Sequence, residues 1–258
     1  MFAVHQETSP WLMYRKPNPK VRLRLFCFPY AGGGAFVYRD WAKDLPETVE
    51  VCPLQPPGRE TRFREDPFTD LGLLIQSVAN ALRPYLDRPF ALFGHSLGAL
   101  VNYQLAHYLR RQDGIEPAHL FVSGRYAPHR TRESLGISKL PEPQFIESVK
   151  KMGGTHPAVF EDRELLRLIL PALRADFHLC DTYQFKSEPI PLCCPITALG
   201  GWHDQGVTWQ DLEEWRKHTS GRFRMYWLPG NHFFINTTKS ALLQIMTQEL
   251  QRLVNSLN

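Results

Sequence analysis

The hydrophobic residues of this chain gather in short runs, separated by longer stretches where they recur every three or four positions. The runs are Val21 to Phe28, Val49 to Leu54, Phe90 to Phe93, His119 to Ser123, Pro195 to Leu199 and Phe223 to Leu228. Their length and the turn residues at their ends predict strands buried on both faces. Between them, Phe36 to Leu45, Leu71 to Leu86, Leu97 to Arg111, Trp209 to His218 and Ile235 to Leu257 carry apolar residues at helical spacing. Alternation of the two patterns predicts an α/β chain with a mostly parallel central sheet flanked by helices.

One interval breaks the rhythm. The stretch between the runs at 119–123 and 195–199 is far longer than the dozen or so residues that a crossover requires. Within it, Pro143 to Met152 and Glu164 to Tyr183 read as amphipathic helices, the second bent at Pro171. Leu165, Leu166, Leu168, Ile169, Leu170, Leu173 and Phe177 are too many apolar residues for one exposed helix. The expectation is a single domain over residues 1–258 with a helical lid inserted at approximately 128–190, packed on the core or lining a cavity.

The most informative pentapeptide is Gly94-His95-Ser96-Leu97-Gly98, at the junction of an expected strand and an expected helix. This is the setting of a nucleophile elbow, where a tight turn presents a serine and a side chain at either glycine would collide with its neighbours. A serine hydroxyl needs a histidine base and a carboxylate to orient it. In strand-turn-helix hydrolases the chain order is Ser, acid, His. His232 is the leading base, because it follows the run at 223–228 through the turn Pro229-Gly230-Asn231; His203 and His178 stand behind it, and His218 reads as a helix cap or a solvated side chain. Asp204 is the leading acid, just after the run at 195–199 and Gly200-Gly201, whereas Asp211, Asp176 and Asp181 read as ordinary surface charges.

Acyl transfer also needs backbone N–H donors for the oxyanion. Leu97 follows the nucleophile, and Ala31 lies in Pro29-Tyr30-Ala31-Gly32-Gly33-Gly34 at the end of the first run. The rival reading of this glycine run, phosphate binding, lacks both the G-x-G-x-x-G spacing and a following Gly-Lys-Ser/Thr.

Composition narrows the field. The 258 residues are 43% hydrophobic, and 30 basic against 26 acidic side chains leave a net charge of +4. No basic stripe with interleaved aromatics supports nucleic-acid binding, and no apolar stretch of about 18 residues supports a membrane span. Five cysteines, at 27, 52, 180, 193 and 194, show no metal-binding spacing and read as buried, reduced thiols of a cytoplasmic protein. No metal and no cofactor are expected, and a monomer is.

Taken together, these motifs closely resemble the type II thioesterases that accompany polyketide and nonribosomal peptide synthetases, and more distantly the medium-chain thioesterases of fatty acid synthesis. The likeness runs over roughly residues 20 to 250. It rests on Phe28-Pro29-Tyr30-Ala31-Gly32-Gly33, Pro57-Gly58-Arg59-Glu60-Thr61-Arg62, the serine elbow, Phe121-Val122-Ser123-Gly124-Arg125-Tyr126-Ala127-Pro128, Pro195-Ile196-Thr197-Ala198-Leu199-Gly200-Gly201 with Asp204, and Gly230-Asn231-His232-Phe233-Phe234. Tyr30 stands where the family often has His. Asn231 stands where it often has Gly, and Asn tolerates the left-handed conformation better than most residues.

The resemblance implies an α/β-hydrolase fold and hydrolysis of an acyl thioester on the phosphopantetheine arm of a separate acyl or peptidyl carrier protein. It implies Ser96 as nucleophile, His232 as base, Asp204 as its partner, and Ala31 and Leu97 as oxyanion donors. Arg59, Arg62 and Arg64, or Arg125, Arg130 and Arg132, are candidates for contact with an acidic carrier. A small-molecule esterase, an acyltransferase and a silent binding protein of the same fold are the rivals.

Overall fold

The computed structural model describes residues 9–130, 136–188 and 190–257. Among these, six strands form one sheet in the order β2-β1-β3-β4-β5-β6: β1 Leu23–Phe28, β2 Val49–Pro53, β3 Phe90–His95, β4 His119–Ser123, β5 Ile196–Gly201 and β6 Phe223–Leu228. Every neighbouring pair is parallel.

The apolar runs are continuous because the sheet is covered on both sides. Leu23, Leu25 and Cys27 of β1 point into one core with Phe93 and Phe121, while Phe26 and Phe28 point into the other with Leu92 and Leu120. Helices α1 (Leu71–Leu82) and α2 (Leu97–Asp113) cover the second face. The first face is covered by α7 (Lys239–Ser256), which buries Leu242, Leu243, Met246 and Leu250 against it.

Three expected helices change form. Instead of one helix over 36–45, two 3-10 turns occur, Ala35–Tyr38 and Trp41–Lys43. Ala35, Tyr38 and Trp41 are buried at intervals of three, the period of a 3-10 turn rather than of an α-helix. The stretch 209–218 splits into α5 (Trp209–Glu213) and a 3-10 turn at Glu214–His218. The last helix is broken after the short α6 (Phe234–Thr237). There the Thr238 hydroxyl donates to Pro229 O at 3.0 Å and Phe234 O at 2.9 Å, local bonds that compete with the helix.

The interval between β4 and β5 holds α3 (Glu142–Met152) and α4 (Arg163–Thr182), and α4 continues through Pro171. Ile137, Phe145, Val149, Leu170 and Leu173 form a separate apolar cluster. Leu165 and Leu168 lie exposed on the outer side of α4. All five cysteines are free; Cys193 is exposed and Cys180 half-buried, against the expectation of fully buried thiols.

Candidate active site

Ser96 sits between β3 and α2 with φ 54° and ψ −112°, a conformation that a non-glycine residue holds only when its surroundings enforce it. The enforcement is visible. A Cβ on Gly94 would lie 2.1 Å from the Gly98 carbonyl, and one on Gly98 would lie 2.2 Å from Phe28 O. Strand, turn and helix therefore close together only with glycine at both places. The Ser96 N–H donates to Ser123 O at 2.8 Å, tying the turn to β4.

The same close approach brings the start of α2 against the loop that leaves β1. In that loop Gly33 N–H donates to Tyr30 O at 2.9 Å, and Gly32 N–H donates to Asp176 Oδ2 at 2.7 Å. The N–H groups of Ala31 and Leu97 donate to no protein acceptor among the described residues. Two unspent donors beside a helix N-terminus suit a developing negative charge.

The acid and the histidine come from the next two strand ends. A Cβ on Gly201 would lie 2.5 Å from Asn231 O, so the loops after β5 and β6 pack backbone to backbone. His203 N–H donates to Gly230 O at 2.9 Å, locking them together. Asp204 Oδ2 then meets His232 Nδ1 at 2.7 Å, while Asp204 Oδ1 accepts the Gly206 N–H at 2.8 Å. The Asp204 side chain is 1% exposed and that of His232 29%. A buried carboxylate thus holds one imidazole nitrogen of a partly exposed ring.

The surroundings fix the histidine loop. The Tyr30 ring stands edge-on to Phe233 at 5.2 Å and to His95 at 5.9 Å, and its hydroxyl accepts from Asn236 Nδ2 at 3.3 Å. Tyrosine here is an aromatic prop. The positive φ in this turn falls on Gly230, at +118°, and not on Asn231, whose Oδ1 accepts the Phe233 N–H at 2.9 Å. His95 is fully buried, bonded through Nδ1 to Ser123 Oγ at 2.9 Å. Burial, reinforced by the nearby His232, holds its pKa well below the usual histidine value.

Several side chains lie elsewhere than expected. Arg59 and Asp176, read as a carrier contact and a surface charge, are buried and bonded to each other. Arg62 donates to Gln55 O at 2.9 Å and covers Trp11, its guanidinium 4.7 Å from the ring. Arg125 is buried beside Cys180 and Tyr126. Arg64 and Arg130 are exposed, Arg130 within 3.4 Å of Asp211, and Arg132 lies outside the described residues. Asp211 is buried in a capping box with Thr208. His218 is buried too, bonded to Tyr103 OH at 2.8 Å and to His129 at 2.7 Å. His203 is exposed and His178 remains on α4, away from the serine turn in sequence. Among the described residues no cluster of His, Cys, Asp or Glu could hold a metal ion.

A cavity of about 190 Å³ is lined by Ala31 and Gly32 of the β1 loop and by Gly154, Val159, Ile169 and Leu173 of the insertion.

The model of the thioesterase domain family matches residues 23–250. The chain belongs to this family. Among the relatives of this thioesterase is the Linear gramicidin dehydrogenase LgrE of Brevibacillus parabrevis, 46% identical over 97% of this chain and 96% of the relative. The Gramicidin S biosynthesis protein GrsT of Aneurinibacillus migulanus is 42% identical over 95% of each chain. Among solved structures, the type II thioesterase BorB from the borrelidin biosynthetic cluster superposes with a TM-score of 0.84 at 36% identity, over 93% of this chain and 97% of that one.

Proposed function

We propose that this thioesterase hydrolyses acyl thioesters carried on the phosphopantetheine arm of an acyl or peptidyl carrier protein, clearing stalled groups from a polyketide or nonribosomal peptide synthetase. The observation that carries the reading is the buried Asp204–His232 pair at the same sheet edge as the strained Ser96. The likeness to BorB, named as a type II thioesterase from the borrelidin biosynthetic cluster, and to GrsT, named as a Gramicidin S biosynthesis protein, supports the choice of substrate.

In this mechanism His232 takes the Ser96 hydroxyl proton as Oγ bonds to the thioester carbonyl carbon. Asp204 holds the Nδ1–H tautomer and stabilises the imidazolium. The carbonyl oxygen becomes an anion received by the Ala31 and Leu97 N–H groups, each donor contributing roughly 3 kcal/mol to the transition state. The C–S bond breaks, the thiol leaves with the proton from His232, and a water deprotonated by His232 cleaves the acyl-serine. The helices between β4 and β5 act as the lid.

One relative bears the name of a dehydrogenase. The Gly32 N–H of this chain's glycine loop is already taken by the Asp176 carboxylate, so it is not free to receive the pyrophosphate of a dinucleotide. A cytoplasmic location agrees with a synthetase-bound substrate and five free thiols, and no helix among the described residues is long and apolar enough to cross a membrane.

The test is labelling with a fluorophosphonate followed by peptide mapping, together with the rate ratio for matched thioesters and oxygen esters. The proposal expects label on Ser96 and faster turnover of the carrier-bound thioester. Label elsewhere, or preference for the free oxygen ester, overturns it.

A further inference from the structure

The loop that bears Ala31 is held by the insertion rather than by the core alone. Asp176 belongs to α4, yet its carboxylate accepts the Gly32 N–H at 2.7 Å and is gripped by both guanidinium nitrogens of Arg59, Nη1 to Oδ2 at 2.5 Å and Nη2 to Oδ1 at 3.0 Å. Arg59 Nη1 also donates to Gly33 O at 3.2 Å, and Nε to Pro57 O at 3.2 Å. One ion pair therefore holds the 31–32 peptide unit through the Gly32 N–H and the 33–34 unit through the Gly33 carbonyl. The side chains of Arg59 and Asp176 are 9% and 6% exposed.

A second contact from α4 reaches the same spot. Leu173, one turn before Asp176, lies where a Cβ on Gly32 would be, 2.4 Å from Cδ2. Gly32 has φ +76°, so its left-handed backbone and its missing side chain both serve the seating of α4. The segment after β2 closes the loop from the other side: Gln55 Oε1 accepts the Ala35 N–H at 3.0 Å, and Gln55 Nε2 donates to Arg59 O at 3.0 Å.

From this geometry we infer that Arg59 and Asp176 are positioning residues that set the direction of the Ala31 N–H, so that the oxyanion site is complete only when α4 is docked. The inference rests on the reading of Ala31 as an oxyanion donor. Bidentate guanidinium–carboxylate pairing fixes orientation as well as distance. The Ala31 N–H belongs to the 30–31 peptide unit, whose carbonyl, Tyr30 O, accepts the Gly33 N–H at 2.9 Å, so the turn held at Gly32 and Gly33 sets the plane of that unit. Placement of α4 and stabilisation of the transition state are then one event. An enzyme with its insertion lifted would bind its substrate arm without turning it over.

Asp176→Asn keeps the size of the side chain and an acceptor for Gly32, but sets an amide N–H₂ against Arg59. Arg59→Lys keeps the charge and loses the fork; it carries the same test should the first variant fold poorly, as judged by Tm. The probes are S-trifluoroacetonyl pantetheine, a ketone, and S-butyl pantetheine, a thioether that resembles the ground state. In the ketone adduct Ser96 Oγ bonds to the carbonyl carbon, the hydroxyl proton passes to His232, and the carbonyl oxygen becomes the anion. Fluorine NMR reports that adduct.

Loss of a whole oxyanion donor costs roughly 10²–10³ in kcat, so a misaimed donor is expected to weaken ketone binding and kcat by about 10- to 100-fold. Thioether affinity and KM should stay within about twofold, because the ground state makes little use of the donor. Equal weakening of both probes, or unchanged ketone affinity and kcat, overturns the inference. Absence of a Ser96-dependent adduct in the wild type overturns it together with the proposed function, and is told apart because it shows before any change at 59 or 176.

Discussion

His232 and Asp204, 28 residues apart in sequence, meet at 2.7 Å through Nδ1 and Oδ2 because the loops after β5 and β6 are packed backbone to backbone at Gly201. The carboxylate is nearly sealed from solvent while the imidazole stays partly open. Such an aspartate selects the tautomer whose free nitrogen can accept a proton from serine.

Asp204→Asn should leave the fold intact and lower kcat by roughly 10⁴, since an amide at this place favours the wrong tautomer. Steady-state turnover of an acyl carrier thioester, with a Tm to verify folding, checks it. A loss of less than about tenfold would remove Asp204 from the role given to it.

Gly98→Ala should destabilise the protein severely. The added methyl would sit 2.2 Å from Phe28 O, a backbone atom that cannot step aside without moving β1. Overpacking of this kind costs about 3 kcal/mol or more. The urea midpoint or the yield of folded protein reads it. By contrast, Gly114→Ala has open space around the new methyl and faces only the strain of its left-handed backbone at φ +68°, about 1 kcal/mol.

Gly32→Ala should cost activity as well as the strain of a left-handed backbone at φ +76°, about 1 kcal/mol. Its methyl would press on Leu173, a flexible side chain, and so push α4 away from the Ala31 loop. A fall in kcat of about tenfold or more is expected, against a loss of roughly 10²–10³ for a whole donor. Unchanged kcat would show that α4 and the loop move independently.

Acid should weaken the fold before most carboxylates titrate. Burial pushes His107 down to about 3, with Arg110 adding to the effect, and His119 and His218 down to about 4. His95 is likewise held well below its ordinary value by burial. These histidines stay neutral in the folded chain but charge in the unfolded one below their ordinary value of 6.5. The unfolded state then binds more protons, so stability falls as pH drops from about 6.5 toward 4. Tm should decline steadily between roughly pH 7 and 5, with a proton uptake on unfolding that approaches about four per molecule near pH 5. A flat Tm over that range would contradict the buried, neutral state of these rings.

Much of this arrangement is legible in the chain. The runs that become β1 to β6 are apolar throughout because both faces of the sheet are covered, and Gly94, Ser96 and Gly98 declare a turn that no larger residues permit. The meeting of Asp204 with His232 follows from their places after the last two strands. What periodicity cannot show is which of two compatible periods the packing selects: Ala35, Tyr38 and Trp41 fit a helix on paper, and contacts of Tyr38 and Trp41 with Phe93, at 5.9 and 4.8 Å between rings, go with 3-10 turns. Long-range pairs of charge are hidden more deeply. Arg59 and Asp176 lie 117 residues apart, and each alone looks like an ordinary solvated side chain. The clue in sequence is Gly32 to Gly34, where three glycines leave room for something from outside the loop; Leu173 and Glu60 occupy the places of the missing side chains at 32 and 34.

Serine-dependent hydrolysis of a carrier-bound thioester is read most directly by intact-mass spectrometry of a butyryl-loaded carrier protein, incubated with the wild type and with Ser96→Ala. The expected result is loss of the butyryl mass from the carrier with the wild type alone, the free phosphopantetheine thiol remaining. A butyryl group that survives the wild type, or that both proteins remove at the same rate, would contradict a Ser96 thioesterase.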